Sequence, residues 1–301
     1  MGTLLRNLRA LVSLLTLGIF SSAGAVEADG GIVQRRAPVV APAPATAEIV
    51  DRYTDARPWV AIIIDDLGNR PEDRLAALLP GPVACSFLPH TPHAVELAQL
   101  AARNGKEVLL HQPMQASGQN RQGPGALRLT MDRASFRDTI NNNLASLPHV
   151  SGVNNHMGSL LTSHSQAMGW LMEELRRYPS MFFIDSRTTS STVASRVASK
   201  FQIPSSSRDI FLDNRTDPES LLAQFNHLIK VARAQGSAIA IGHPYPETMA
   251  FLRTHLADLE RQGISLQPVS EVIRLRKPAL RTAWHQVASD QLRPKTPQRI
   301  Q

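Results

Sequence analysis

A chain of 301 residues with 43% hydrophobic and 19% charged side chains can bury a substantial core, which excludes an intrinsically disordered polymer. The net charge of +7 favours anionic surroundings, but the basic residues are scattered and aromatics make up only 5%, so no nucleic-acid interface is marked. Cys85 is the only cysteine, which excludes an intrachain disulfide scaffold; within A-C-S-F-L it reads as a buried structural thiol.

The N-terminus carries Arg6 and Arg9, then a mainly apolar run from Leu11 to Phe20, then S-S-A-G-A with Ala23 and Ala25 placed as an A-x-A cleavage site. This is the pattern of a secretory signal peptide over residues 1–25, short for a membrane span of about 20 residues. Cleavage would export the chain to the periplasm or cell envelope and remove two arginines, taking the charge from +7 to +5. Retention would make the same segment an anchor. No later stretch approaches the ~18 consecutive apolar residues of a spanning helix. Residues 26–57, rich in alanine, proline and charge, read as an extended linker. Residues 277–301 read as a basic, proline-bearing tail, which leaves one domain over residues 58–276.

Within that domain, short apolar runs alternate with helical patterns. The strand candidates are W-V-A-I-I-I, V-A-C-S-F-L, E-V-L-L-H, G-V-N-N-H, M-F-F-I-D, A-I-A-I-G-H and S-L-Q-P-V. The helix candidates cover residues 71–79, 93–104, 132–147, 165–178, 191–200, 217–235 and 246–262. Asp132 and Asp217-Pro218 supply clear start signals. Such alternation predicts an α/β fold with a mostly parallel sheet, either open or closed into a barrel.

Several runs end in a residue of metal-ligating or acid–base type: Asp65-Asp66, His111, His156, Asp185 and His243. In parallel α/β architectures, ligands gather at the carboxyl ends of strands, where loops specialise over a rigid frame. Five strands delivering carboxylates and imidazoles to one rim make a natural donor set for a divalent metal such as zinc. A cation would also offset the repulsion between Asp65 and Asp66. Single members keep other readings. Asp185 suits a turn cap or a partner of Arg187, and Asp65-Asp66 a cap for a helix near Pro71. Arg208 belongs either to the rim or to a surface ion pair with Asp209. His164, eight residues beyond His156, is a reserve ligand, and His90 and His93 sit in a proline-bearing loop.

Taken together, the strand ending in D-D, L-L-H-Q-P-M, N-N-H-M-G-S, F-F-I-D-S-R-T and I-G-H-P resemble the divergent polysaccharide deacetylase family over residues 58 to 275. That family is an exported bacterial relative of the NodB-homology carbohydrate esterases. The resemblance implies a distorted (β/α) barrel of the glycoside hydrolase/deacetylase type. It also implies metal-dependent removal of N-acetyl groups from an amino-sugar polymer or peptidoglycan-like glycan. Carried over residue by residue, it implies Asp65 as base and Asp66, His111 and His156 as ligands of a divalent metal, zinc foremost. His243 would be the acid, and Asp185 would orient a neighbouring group. Ordinary polysaccharide deacetylases take both metal histidines from one H-[ST]-x-x-H motif. Here Gln115 stands four residues after His111, and His156 from the next strand fills the second place. A metal site rebuilt from two strands can keep the metal and still lose the original substrate. Two other functions stay open. One is a non-catalytic envelope module that keeps the fold and metal to bind a glycan or a protein partner. The other is a metal hydrolase of a phosphate or another acyl group, with Arg187 and Arg208 clamping an anion.

Overall fold

The computed structural model describes residues 57–118 and 121–277. The expected signal peptide, the linker up to residue 56 and the tail from residue 278 lie outside the described residues. The strands are β1 (Trp59–Leu67), β2 (Ala84–Phe87), β3 (Val108–Met114), β4 (Val150–Met157), β5 (Phe182–Asp185), β6 (Ser205–Ser207), β7 (Ile210–Phe211), β8 (Ser237–Gly242) and β9 (Ser265–Leu266). Between and after them lie α1 (Arg74–Ala77), α2 (Ala94–Arg103), α3 (Arg133–Ala145), α4 (Ser165–Leu175), α5 (Ala194–Lys200), α6 (Pro218–Gln235), α7 (Pro246–Arg261) and α8 (Val269–Leu275). The expected start signals act as caps. The Asp132 carboxylate accepts from the Ser135 amide at 2.7 Å and that of Asp217 from Ser220 at 2.9 Å.

All pairings of these strands are parallel, in the order β6-β5-β4-β3-β2-β1-β8-β7, with β9 beside the start of β1. The two ends of that path, β6 and β7, are successive pieces of one segment joined by Arg208 and Asp209. The Arg208 amide donates to the Asp185 carbonyl at 3.0 Å and the Asp209 amide to the Ile239 carbonyl at 2.9 Å. One stretch of chain thus ties β5 to β8, and the sheet curls into the distorted (β/α) barrel that the resemblance implied.

Side-chain alternation sorts each strand onto two faces. Val60, Ile62 and Ile64 pack outward with Phe87, Leu110, Val153 and Phe183 against the helices. Trp59, Ala61 and Ile63 point inward and meet Ala84, Leu109, Phe182, Ile184, Ile239 and Ile241. Cys85 falls on the outer face, where burial pushes its thiol up to about 12 and keeps it inert.

One expected strand is mostly something else. Within S-L-Q-P-V only Ser265 and Leu266 pair, and Val269 opens α8 after Pro268. Val269, Val272 and Ile273 follow helical spacing, and with Leu275 they seal the end of the barrel interior where the strands begin. The Glu107 carboxylate accepts from the Val269 amide at 2.6 Å, capping this short helix from β3's entry loop.

The inner cluster is therefore a closed apolar floor, and Ile239 stands near its centre with no exposed surface. Ile239→Ala should cost about 2–5 kcal/mol in urea unfolding, because the rigid barrel wall cannot collapse into the cavity. A loss under about 1 kcal/mol would show that the interior repacks freely.

Candidate metal and acid–base site

Asp65 continues the inward series of Trp59, Ala61 and Ile63, so alternation alone aims its side chain into the barrel above the apolar floor. The same rule would send Asp66 outward. The register across β1 and β2 shows why it does not. Ile64 faces Cys85 and Leu67 faces Phe87, so three steps along β1 match two along β2. One residue is extra, and it forms a bulge. Asp66 has φ of 59°, the left-handed region, and this local twist turns its carboxylate to the same cavity as Asp65. Leu67 then returns to the outer core. The bulge is held from below by Asp73, whose carboxylate accepts from the amides of Gly68 at 3.0 Å and Arg70 at 3.1 Å. Gly68 has φ of 111°, and a Cβ there would lie 2.3 Å from the Thr91 hydroxyl oxygen, so the turn requires glycine. The helix-cap reading of Asp65-Asp66 is not what forms; Asp73 ties down that turn instead.

His111 follows Leu109 on the inner face of β3, and Asn154 lies opposite it in register on β4. The Nδ1 of His111 is 2.9 Å from the Oδ1 of Asn154, which also accepts from the Ser86 hydroxyl at 2.6 Å. The Nδ2 of Asn154 donates to Asp65 Oδ1 at 2.8 Å. On the opposite edge of the ring, His111 Nε2 is 3.1 Å from Asp66 Oδ1 and 3.6 Å from Asp65 Oδ2. His156, two residues beyond Asn154 and so on the same face, brings its Nδ1 to 2.9 Å from Asp66 Oδ1 and 3.3 Å from His111 Nε2.

Asp66 Oδ1, His111 Nε2 and His156 Nδ1 are the one group of three such donors, among the described residues, spaced to hold a metal ion. Asp66 Oδ1 is buried and makes no hydrogen bond of good geometry, although both rings approach it. That orphaned oxygen fits a cation better than a hydrogen-bond network. A tetrahedral ion with donors at about 2.0–2.1 Å sets neighbouring donors about 3.3 Å apart, close to the spacing here. The residues present therefore fit a zinc-like ion. Burial would raise the Asp66 carboxyl, but the two facing imidazoles overcome it and hold the group well below the ordinary carboxylate range. Burial would likewise strip the His111 ring of its charge, but Asp65, Asp66 and the Asn154 hydrogen bond push it up to about 9.

His243 comes from β8, the neighbour of β1 on the side away from β2, just past the inward Ile241. Its Nδ1 is 3.0 Å from the Oδ1 of Asp213, and the Thr248 hydroxyl donates to the other Asp213 oxygen at 3.0 Å. Nε2 is left facing the cavity, 3.9 Å from Asp66 Oδ2. Burial works against a charge on this ring. The Asp213 hydrogen bond and the nearby carboxylates outweigh it and raise the His243 pKa.

Asp65, Asp66, His111, His156 and His243 thus line one cavity of about 370 Å³, together with Arg208, Phe211 and Ser186 among others. Arg208 is fixed by donating from Nε to the Ser186 carbonyl at 2.8 Å, and it lies 5.1 Å over the Phe211 ring. Two expected site residues do not join them. Asp185 shares parity with the outward Phe183, and its oxygens accept from the Arg187 amide and the Thr192 hydroxyl, both at 2.8 Å. It holds the loop after β5 rather than facing the cavity. Arg187 is exposed and is absent from the cavity lining. The reserve ligand His164 is exposed at the start of α4, away from the cavity. Gln115, which breaks the ordinary histidine motif, accepts from the Leu129 amide at 2.8 Å and pins a loop. Two site residues escape sequence reasoning. Asn154 is hidden beside His156 in N-N-H, and Asp213 closes the apolar run I-F-L-D as Asp65 and Asp185 close theirs.

A family model described as divergent polysaccharide deacetylase matches residues 62–273. The chain is 37% identical over 201 residues to YibQ of Escherichia coli K12, covering 66% of this chain and 63% of that protein. It therefore spans less than two thirds of the length of YibQ. It is 36% identical over 208 residues to a Haemophilus influenzae Rd protein, covering 69% of this chain and 74% of the other. A crystal structure of ATU2773 from Agrobacterium tumefaciens C58 aligns at a TM-score of 0.69 and 22% identity, over 74% of this chain and 94% of that one. A likeness of that size shows the fold alone.

The Asp213–His243 pair carries its own test. A histidine whose folded pKa is raised stabilises the protein below its unfolded value, about 6.5, and loses that contribution as pH rises through the folded value. Asp213→Asn should lower the His243 pKa in a ring-proton NMR titration. It should also cost more stability below about pH 6.5 than well above it. An unmoved His243 titration would contradict the pairing.

Proposed function

This chain belongs to the divergent polysaccharide deacetylase family, and from that premise we propose that it is an exported, metal-dependent hydrolase removing N-acetyl groups from an amino-sugar polymer of the cell envelope. The observation that carries this reading is the convergence on one cavity of three metal-type donors, a second buried carboxylate and a carboxylate-backed histidine. Export rests on the N-terminal pattern of a charged start, an apolar run and an A-x-A site. Among the described residues, no helix is long and apolar enough to cross a membrane.

Asp66, His111 and His156 would hold the ion, with zinc the best match to one oxygen and two imidazole donors. A bound divalent ion would supply a Lewis acid for the amide carbonyl and ease the loss of a proton from a nearby water. Asp65 has one oxygen engaged by Asn154, so Oδ2 is the atom that takes the water proton. Water oxygen bonds to the carbonyl carbon, the C–N bond breaks, and the leaving amine nitrogen takes a proton from His243 Nε2. The products are acetate and a free amino sugar. The raised pKa of His243 suits this role, because its surroundings favour the protonated ring that gives its proton to the amine. Asp213 keeps Nδ1 occupied and the imidazolium charge balanced. Arg208, stiffened by backbone carbonyls and Phe211, offers the glycan a fixed donor at the cavity wall. Arg187 would reach substrate only outside the cavity.

The non-catalytic module is separated from the hydrolase by two readouts on the same protein. Zinc content is measured on the purified chain, and acetate release is measured from N-acetylated oligosaccharides with and without added zinc. The hydrolase reading expects both. Asp65→Asn should reduce acetate release by at least about 10²-fold while keeping zinc. Asp66→Ala or His111→Ala should lose zinc and activity together. Full turnover by Asp65→Asn would sink the assignment of the base, and zinc uptake without acetate from any substrate would favour the binding module.

A further inference from the structure

We propose that Asn154 is a positioning residue whose single carboxamide fixes which nitrogen of His111 faces the metal site and locks Asp65 in place beside it. The inference rests on the metal and base assignments of the proposed function.

Asn154 has no exposed surface and lies on the inner face of β4, opposite His111 in register. Its amide meets groups from four strands or their ends: Ser86 on β2, His111 on β3, Asp65 on β1 and, at 3.4 Å, the Ser186 hydroxyl just past β5. The orientation of the amide follows from what its neighbours can do. A carboxylate only accepts, so Nδ2 must face Asp65 and Oδ1 must face Ser86 and His111. Oδ1 in turn only accepts, so the hydrogen of His111 is on Nδ1. In the neutral ring that would bind an ion, the Nε2 lone pair is then directed at the space shared with Asp66 and His156.

The residue type matters as much as the place. A carboxylate at this position would orient His111 equally well, as carboxylates do behind many metal-bound histidines. Here it would put a third acid against Asp65 and Asp66. An aliphatic side chain would leave His111 free to flip and Asp65 without its 2.8 Å donor. Only a short carboxamide accepts from the histidine and donates to the acid across this gap. Ligand orientation and base orientation are therefore set by one side chain.

The test uses the purified full chain and zinc alone, titrated in competition with a chromogenic chelator, so that the affinity readout needs no substrate. Asn154→Ala should weaken zinc binding about 10–100-fold, the usual effect of losing a group that orients a metal ligand. Because that variant leaves buried groups unpaired, a second one guards against misfolding. The double exchange of Asp65→Asn with Asn154→Asp keeps volume and charge and restores a complementary pair. The carboxylate it places on β4 would accept both from His111 and from the amide it places on β1. This exchange should bind zinc within about threefold of wild type while releasing no acetate. Wild-type affinity in Asn154→Ala, or an exchange that does not recover binding, overturns the inference and leaves the proposed function standing. A wild-type chain that takes up no zinc overturns both.

Discussion

Two adjacent residues on a regular strand face opposite ways, so a strand that must aim two neighbouring carboxylates into one cavity has to break its own alternation. The bulge at Asp66 does this with one extra residue in left-handed conformation. Such a backbone costs on the order of 1–3 kcal/mol for a residue other than glycine. The two amide hydrogen bonds to Asp73 return about 0.5–1.5 kcal/mol each, and the return of Leu67 to the outer core adds burial. The strain is therefore met by structure immediately around it, and the rest of the site is arranged about the carboxylate it turns.

That arrangement solves an electrostatic problem. Asp65 is almost fully buried above an apolar floor, and Asp66 Oδ1 is buried beside it. Neither can rely on water to offset their repulsion. Imidazoles from β3 and β4 stand against Asp66, an amide proton stands against Asp65, and Arg208 adds positive charge from the opposite wall. The two acids end with different surroundings and so with different chemistry. Asp66 stands between two imidazoles, as a metal ligand would, and Asp65 has one oxygen held by Asn154 and the other toward His111. His243 is separated from both by distance and tethered to its own carboxylate, Asp213. The paired acid at the end of an apolar run thus divides into a ligand position and a proton-accepting position.

Much of this is legible in the sequence, and what is not has a common cause. Strand-final Asp65, His111, His156 and His243 read as one rim, and the barrel brings all four together. Asp185 meets the same criterion and does not join them, because Ile184 takes the inward position and leaves Asp185 with Phe183 on the outer face. Counting parity back from the strand end separates them. Asn154 does not stand out because an amide carries no charge and suggests no ligand, although its two-residue offset from His156 puts it on the same face. The segment around Arg208 does not read as strand, since its pairing changes from β5 to β8 within a few residues and no periodicity survives that switch. The short α8 reads as part of a strand because seven residues hold too little periodic signal beside a proline.

The central claim is that a bulged carboxylate and two histidines from neighbouring strands form a single ion site. Anomalous diffraction from zinc-loaded crystals, collected at the zinc edge, tests it most directly. The expected result is one strong peak about 2.0–2.2 Å from Asp66 Oδ1, His111 Nε2 and His156 Nδ1, with Asp65 outside bonding distance. A peak bound by Asp65 in place of Asp66, or no peak among these three residues at saturating zinc, would contradict it.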